Sequence, residues 1–277
     1  MNKSRKLGEN QAFISIAASL LSIVIGLLFG FVLLLLLNAK NAPAGMWNML
    51  SNGITDFGNV LYRSTPLIMT GLSVALAFKV GLFNIGASGQ FTVGAMAALY
   101  CALVFKLPWY VCVIAAIIGG AFWGFFPGLF KALFNVNEVI TCIMMNWIAM
   151  NAANLLVLSV KPMLASDGAR TLALDQGNPS AIMPRLGLDK FYVYLNIGIF
   201  IAAIIAVVIW FVMSKTTFGY ELRACGLNRD GAIYAGINAK RNIVLSVVIA
   251  GALAGLGGGL CYLAGGVQYT TEQTILS

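Results

Sequence analysis

Residues 79–91 read KVGLFNIGASGQF. Gly81, Gly86 and Gly89 alternate there with the uncharged polar residues Asn84, Ser88 and Gln90, inside a chain that is otherwise compatible with lipid. The glycines disrupt a continuous membrane helix, and amides and hydroxyls in hydrocarbon cost free energy unless protein or water satisfies them. Because the stretch lies where one apolar run ends and the next begins, two readings stand side by side. One is a short turn at the membrane surface, with Asn84 and Ser88 capping the following helix. The other is a discontinuous or re-entrant element lining a solute path.

Composition sets the solvent. The 277 residues are 60% hydrophobic and 9% charged, with a mean hydropathy of +0.90, so polar surface could not cover a soluble globule. An integral membrane protein, all-α and polytopic, follows. The net charge of +8 would suggest a nucleic-acid partner only if the basic residues formed a patch. They sit instead in the gaps between apolar runs, where lysine and arginine orient helices, and no nucleic acid is expected. The five cysteines (Cys101, Cys112, Cys142, Cys225, Cys261) are scattered and histidine is absent. That argues against a disulfide framework, a zinc site or a cysteine-histidine nucleophile.

A helix needs roughly 20 apolar residues to cross a bilayer. Seven runs qualify: Phe13 to Leu37, Thr65 to Phe83, Ala87 to Phe105, Trp109 to Phe130, Val139 to Val160, Phe191 to Met213 and Ile243 to Leu263. The first follows a basic head (Lys3, Arg5, Lys6) and exceeds the ~7–15 residues of a signal-peptide core, so it reads as a membrane anchor. With the amino terminus in the cytoplasm, ten basic residues fall inside and seven outside. Four of the outer seven lie in the extracytoplasmic loop 161–190, beside Asp167, Asp175 and Asp189. The bias favours this orientation, in a cytoplasmic (inner) membrane. One transmembrane domain over residues 1–277 is expected.

Two glycine ladders occur within the spans: Gly120, Gly124 and Gly128, and Gly251, Gly255 and Gly259. Spacing of four puts each trio on one helix face, where the missing side chains let another helix come close. The second ladder lacks the G-x-G-x-x-G spacing of a dinucleotide loop, and no Walker A sequence occurs. No cofactor is therefore expected on this chain, and any energy source lies on another. In NVNEVI, Asn135 and Glu138 have the spacing of a capping pair, with Asn135 at the N-cap and Glu138 at N3 of a helix starting near Val139. Asn146 and Asn151 further along that helix either bond a neighbouring helix or face solute.

Three blocks carry a resemblance: VGLFNIGASGQFTVGAMAA, FNVNEVITCIMMNWIAMN and TTFGYELRACGLNRDGAIYAGINAKRNIVLSVVIAGALAGLGG. Together they resemble the membrane-spanning permease subunit of ATP-binding-cassette (ABC) importers, in the branch handling ribose-type sugars and nucleosides, and are most similar to nucleoside permeases. The similarity runs from about Leu61 to the last residue. It implies a permease that pairs with a second, related permease, with cytoplasmic ATPase subunits that bind ATP and Mg, and with an extracytoplasmic solute-binding lipoprotein. Asn84, Ser88, Gln90, Asn146 and Asn151 are then candidates for the substrate path, and Asn84→Leu is expected to impair uptake while leaving assembly intact.

The cytoplasmic segment 214–242 resembles the part of the family that holds the coupling helix. Asn228 can cap a short helix there, Asp230 favours its positive end, Ile233, Tyr234 and Ile237 offer apolar anchors, and Gly236 ends it. Asn228, Arg229, Asp230, Ile233, Tyr234 and Ile237 are the candidates for contact with the ATPase. Ser88 stands where many relatives carry an acid, and Arg229 and Gly231 stand where proline and alanine are usual. The chain stops at VQYTTEQTILS, whereas such permeases continue through further helices, so C-terminal helices are expected to be missing. Two other readings stay open. An ion-coupled secondary transporter would need intramembrane carboxylates, and only Glu138 stands at a span's edge. The other is a transport-inactive structural subunit.

Overall fold

The computed structural model describes residues 3–190 and 193–271. Contacts divide the chain into two compact units, residues 1–57 and 58–277. The first holds α1 (Lys3–Asn38) and α2 (Ala42–Thr55). The stretch Ile16–Asn38 of α1 is long and apolar enough to cross a membrane and none of it is buried, as expected of a helix that meets lipid all round. Helix α2 begins with Pro43 in its first turn, where a missing N–H costs nothing, and was not legible as a hydropathy run. An apolar cleft of about 360 Å³ lies between Val24, Leu28 and Phe31 of α1 and Met46, Trp47 and Leu50 of α2.

The second unit is a helical bundle. It contains α3 (Phe57–Lys79), α4 (Ala87–Leu103), α5 (Trp109–Phe134), α6 (Glu138–Ser159) and a short α7 (Leu174–Gly177). These are followed by α8 (Gly198–Lys215), α9 (Thr217–Leu227), α10 (Arg229–Tyr234) and α11 (Ala239–Tyr262). Among the described residues six helices, α1 included, are long and apolar enough to span a membrane, and α4 is a shorter apolar helix of 17 residues. Residues 191 and 192, where the sixth run was expected to start, lie outside the described residues, as do 272–277. Helix α3 starts at Phe57 rather than Thr65, because Asn59, Arg63 and Ser64 mask its first two turns in a hydropathy reading.

The centre of the bundle is glycine against glycine. Helices α5 and α11 run antiparallel, and the two ladders face each other. A Cβ on Gly120 would overlap the carbonyl oxygen of Gly251, one on Gly124 would sit 2.6 Å from the Val247 carbonyl oxygen, and one on Gly255 would sit 2.7 Å from the Gly120 Cα. At the ends of the ladders, a Cβ on Gly128 would lie 3.2 Å from the Val247 side chain and one on Gly259 would lie 2.6 Å from the Ala116 Cβ. Helix α4 closes the triangle, with Gly94 against Gly255 and Ala116. In lipid, where apolar side chains gain nothing from leaving the surroundings, such backbone proximity supplies the dispersion and Cα–H contacts that hold helices together.

The cap expected at Asn135 is corrected. Helix α5 runs on to Phe134, so Asn135 becomes its left-handed stop at φ 51°, a conformation asparagine tolerates. Asn137 caps α6 instead, its side chain accepting from the Val139 N–H at 2.9 Å. Glu138 is the first residue of α6 and pairs with Lys131 Nζ at 2.8 Å, tying α5 to α6.

On the opposite side of the bundle, loop 161–190 is joined to the segment after α11. The Thr171 N–H donates to the Tyr269 carbonyl at 2.9 Å, the Thr271 N–H to the Ala169 carbonyl at 2.8 Å, and the Tyr269 hydroxyl to Asn154 at 2.9 Å. In this loop the backbone N–H of Ala169 holds the Asp167 carboxyl below its usual pKa, helped by the N–H and guanidinium of Arg170.

Candidate functional site

The break between α3 and α4 is built by a glycine. Gly81 adopts φ +75°, the Leu82 N–H reaches back to the Ala77 carbonyl at 3.1 Å, and the Gly81 N–H reaches the Phe78 carbonyl at 3.1 Å. This is the Schellman way of ending a helix, and it needs a residue without a Cβ penalty at the left-handed position. Five residues later Gly86 opens α4 with no side-chain cap. Asn84 therefore does not cap a surface turn.

Asn84 and Gln90 are buried and face each other. The Asn84 Nδ2 donates to Gln90 Oε1 at 2.9 Å and to the Ser73 hydroxyl at 3.3 Å, and Gln90 Nε2 returns a bond to Asn84 Oδ1 at 3.3 Å. Cys142 of α6 approaches the same oxygen at 4.0 Å. The network thus joins α3, the break, α4 and α6. Ser73 lies six residues from the end of α3, or about 9 Å along the axis, so the network sits inside the membrane-spanning depth. Every polar atom in it has a partner, which is the condition for an amide pair to persist away from water.

The other candidate path residues behave differently. Asn146 braces the break from α6: its Oδ1 accepts from the Gly89 N–H at 2.9 Å and its Nδ2 donates to the Ile85 carbonyl at 3.0 Å. Ser88 is exposed, and Thr92 beside it donates to the Ser88 carbonyl at 2.9 Å. Asn151 is exposed and donates to the Trp147 carbonyl at 2.8 Å. Ser88, Gly89, Thr92, Asn146, Trp147 and Met150 line an open groove of about 190 Å³ between α4 and α6. The structure thus brings Asn84 with Gln90, and Ser88 with Asn146, into two adjoining clusters, and sets Asn151 one turn beyond Trp147.

The short helices after α8 reach the break directly. The Asn228 side chain caps α10 by accepting from the Gly231 N–H at 2.9 Å, and Gly236, at φ +83°, ends it as a second Schellman turn. Asp230 is in the first turn of α10, Arg229 is half-buried, and Ile237 packs on a small apolar cluster. Ile233 and Tyr234 project outward, Tyr234 being 94% exposed, and Leu227 at the end of α9 is 88% exposed. Beneath them Ala232 of α10, Leu222 and Cys225 of α9, Ala239 of α11 and Val80 of the break form that one buried cluster. A Cβ on Gly226 would lie 2.9 Å from the Val80 carbonyl carbon, so backbone meets backbone where α9 supports the break. A bond from Asn242 to Glu221 at 3.0 Å fixes α11 to α9.

Sequence reasoning did not find Ser73, Val80, Cys142, Gly226 or Trp147. None stands out by type in an apolar chain, and only the folded bundle puts them beside Asn84, Gly81 or Ser88.

Comparison with known proteins identifies the family. The family described as branched-chain amino acid transport system / permease component matches residues 56–276. The guanosine ABC transporter permease protein NupP of Bacillus subtilis is 38% identical over 248 residues, covering 87% of this chain and 70% of the relative. The nucleoside ABC transporter permease protein NupB of Lactococcus lactis is 38% identical over 285 aligned positions, covering 99% of this chain and 75% of the relative. The glucose ABC transporter permease protein TsgB13 of Haloferax volcanii is 30% identical over 259 residues, covering 89% and 68%. No solved structure matches the chain. A bundle of membrane-length helices with this family match is a multi-pass ABC transporter permease, and the chain belongs to the branched-chain amino acid transport system / permease component family.

Proposed function

We propose that this chain is the permease subunit of an ATP-driven importer and forms the path for a nucleoside or ribose-type sugar delivered by an extracytoplasmic binding lipoprotein. Its partners are a second, related permease and cytoplasmic ATPase subunits, which carry the ATP and Mg; this chain itself binds no cofactor. The amino terminus lies in the cytoplasm, and the 214–242 segment faces the ATPases. The nucleoside assignment is supported by the likeness to NupP and NupB, the sugar alternative by that to TsgB13.

One observation carries the mechanism. Ala232, on the buried side of the capped helix α10, shares an apolar cluster with Val80 of the broken segment, while Ile233 and Tyr234 on the same helix point outward. A partner that grips Ile233 and Tyr234 moves α10 and α9 as a body, because Asn228 and Gly236 fix both ends of α10. Packed cores shift between discrete arrangements rather than deforming smoothly, so the displacement passes through Val80 and Gly226 to the break. The break then redirects α4, and the polar groove it carries changes which side it faces. No bond in the solute is made or broken.

The test is co-purification and uptake. The tagged chain, expressed with its neighbouring transport genes, is expected to retain an ATPase and a second permease, and the reconstituted complex to take up radiolabelled guanosine only with ATP. Tyr234→Ala should lower ATPase retention while leaving the permease folded in the membrane. Uptake by the chain without any nucleotide-hydrolysing partner would overturn the proposal.

A further inference from the structure

The groove between α4 and α6 holds a combination that neither lipid nor helix packing accounts for. Trp147 is 56% exposed at its wall, and its indole N–H has no partner among the described residues. Beside it the exposed Ser88 hydroxyl makes no hydrogen bond among the described residues, and the Thr92 hydroxyl, donating to the Ser88 carbonyl, keeps its acceptor side open. Asn146 forms the floor, held in place by its two bonds to the Gly89 N–H and the Ile85 carbonyl. Trp147 is nine residues from the start of α6, or about 14 Å along it, well inside the hydrocarbon depth.

Hydroxyls open to hydrocarbon at that depth are costly, so this face meets water or solute rather than acyl chains. A flat aromatic wall with hydroxyl donors and acceptors at its edge matches a ring that has a π-face and polar edges. A free pentose would use the hydroxyls but not the indole face. The cavity, at about 190 Å³, is below the ~300–1,000 Å³ of a complete small-molecule pocket, and so takes one ring system rather than a whole ligand.

We infer that this groove is a nucleobase subsite on the translocation path, with the Trp147 indole as the stacking face and the Ser88 and Thr92 hydroxyls reading the base edge. The inference rests on the importer proposal above and narrows its substrate to nucleosides over free pentoses. Trp147 is thus a specificity-determining residue that touches the solute in passage.

Site-specific labelling in the reconstituted full complex tests it. Met150→Cys at the groove rim is labelled with a maleimide, the natural chain and its five cysteines serving as the blank. Guanosine is expected to slow labelling, and ribose at the same concentration to leave it unchanged. Adding Trp147→Leu should raise the guanosine concentration needed for protection by about 5- to 150-fold, the range that loss of one base-aromatic stack implies. Trp147→Phe, which keeps a ring, should retain most of the protection and shows that the position tolerates substitution. Equal protection by ribose, or none by guanosine in a complex that imports guanosine, would overturn the subsite alone. A complex that imports no nucleoside at all would overturn the substrate assignment and the subsite with it.

Discussion

Asn84→Leu tests the reasoning about the break most directly, because the structure changes what it should do. From sequence, the substitution is expected to impair uptake and leave assembly intact. In the fold, however, Asn84 is 4% exposed and supplies both bonds of the amide pair with Gln90, together with the bond to Ser73. Leucine removes all three and leaves the Gln90 amide, 1% exposed, with neither bond of that pair. An unsatisfied buried polar group costs about 1–3 kcal/mol, whereas a hydrogen bond between membrane helices contributes only about 0.6 kcal/mol on average. The stranded amide is therefore the larger effect, and Asn84→Leu should lower stability by about 2–3 kcal/mol. Removing both partners avoids that penalty, so Asn84→Leu combined with Gln90→Leu should be no less stable than Asn84→Leu alone. Unfolding of the purified permease by SDS in mixed micelles measures all three variants. Additive losses, with the double variant less stable than either single one, would refute the closed pair and return both side chains to independent roles.

The glycine seam and the support of the break give two more outcomes. Gly120→Ala drives a methyl into the Gly251 carbonyl, backbone that cannot yield, and should cost about 3 kcal/mol or more in the same micelle titration. Gly71→Ala, with nothing within 4 Å, should be neutral or up to about 1 kcal/mol stabilising; equal effects at the two sites would contradict the packing described. Gly226→Val places branched carbon against Val80 and should uncouple the complex, leaving ATP hydrolysis within about twofold of normal while uptake falls tenfold or more. Unchanged uptake by a correctly assembled Gly226→Val complex would remove α9 from the coupling route.

How much was legible follows from the range of each interaction. Helix α10 could be read locally because an N-cap and a C-terminal glycine act over three to six residues, and Asn228 and Gly236 are where the sequence puts them. The asparagines of NVNEVI misled for the same reason. Both can cap, and the choice of Asn137 over Asn135 depends on how far α5 extends, a matter of its packing along α11. The early start of α3 and the whole of α2 escaped because hydropathy sees lipid contact and neither segment is uniformly apolar.

Sequence alone determined that the chain lives in lipid, that six of its seven apolar runs form membrane-length helices, where the chain breaks and which faces lack side chains. Those properties depend on transfer free energy and on backbone freedom, both of which belong to single residues or short windows. Tertiary structure alone decided that one glycine ladder faces the other, that Asn84 meets Gln90 rather than water, that Gly226 lies under the break, and that Trp147 stands beside Ser88. Each of these joins side chains or backbone from separate helices, and in a membrane, where all the helices are comparably apolar, hydrophobicity does not choose between neighbours. Close fit and paired polar groups do, and they exist only once the helices have met.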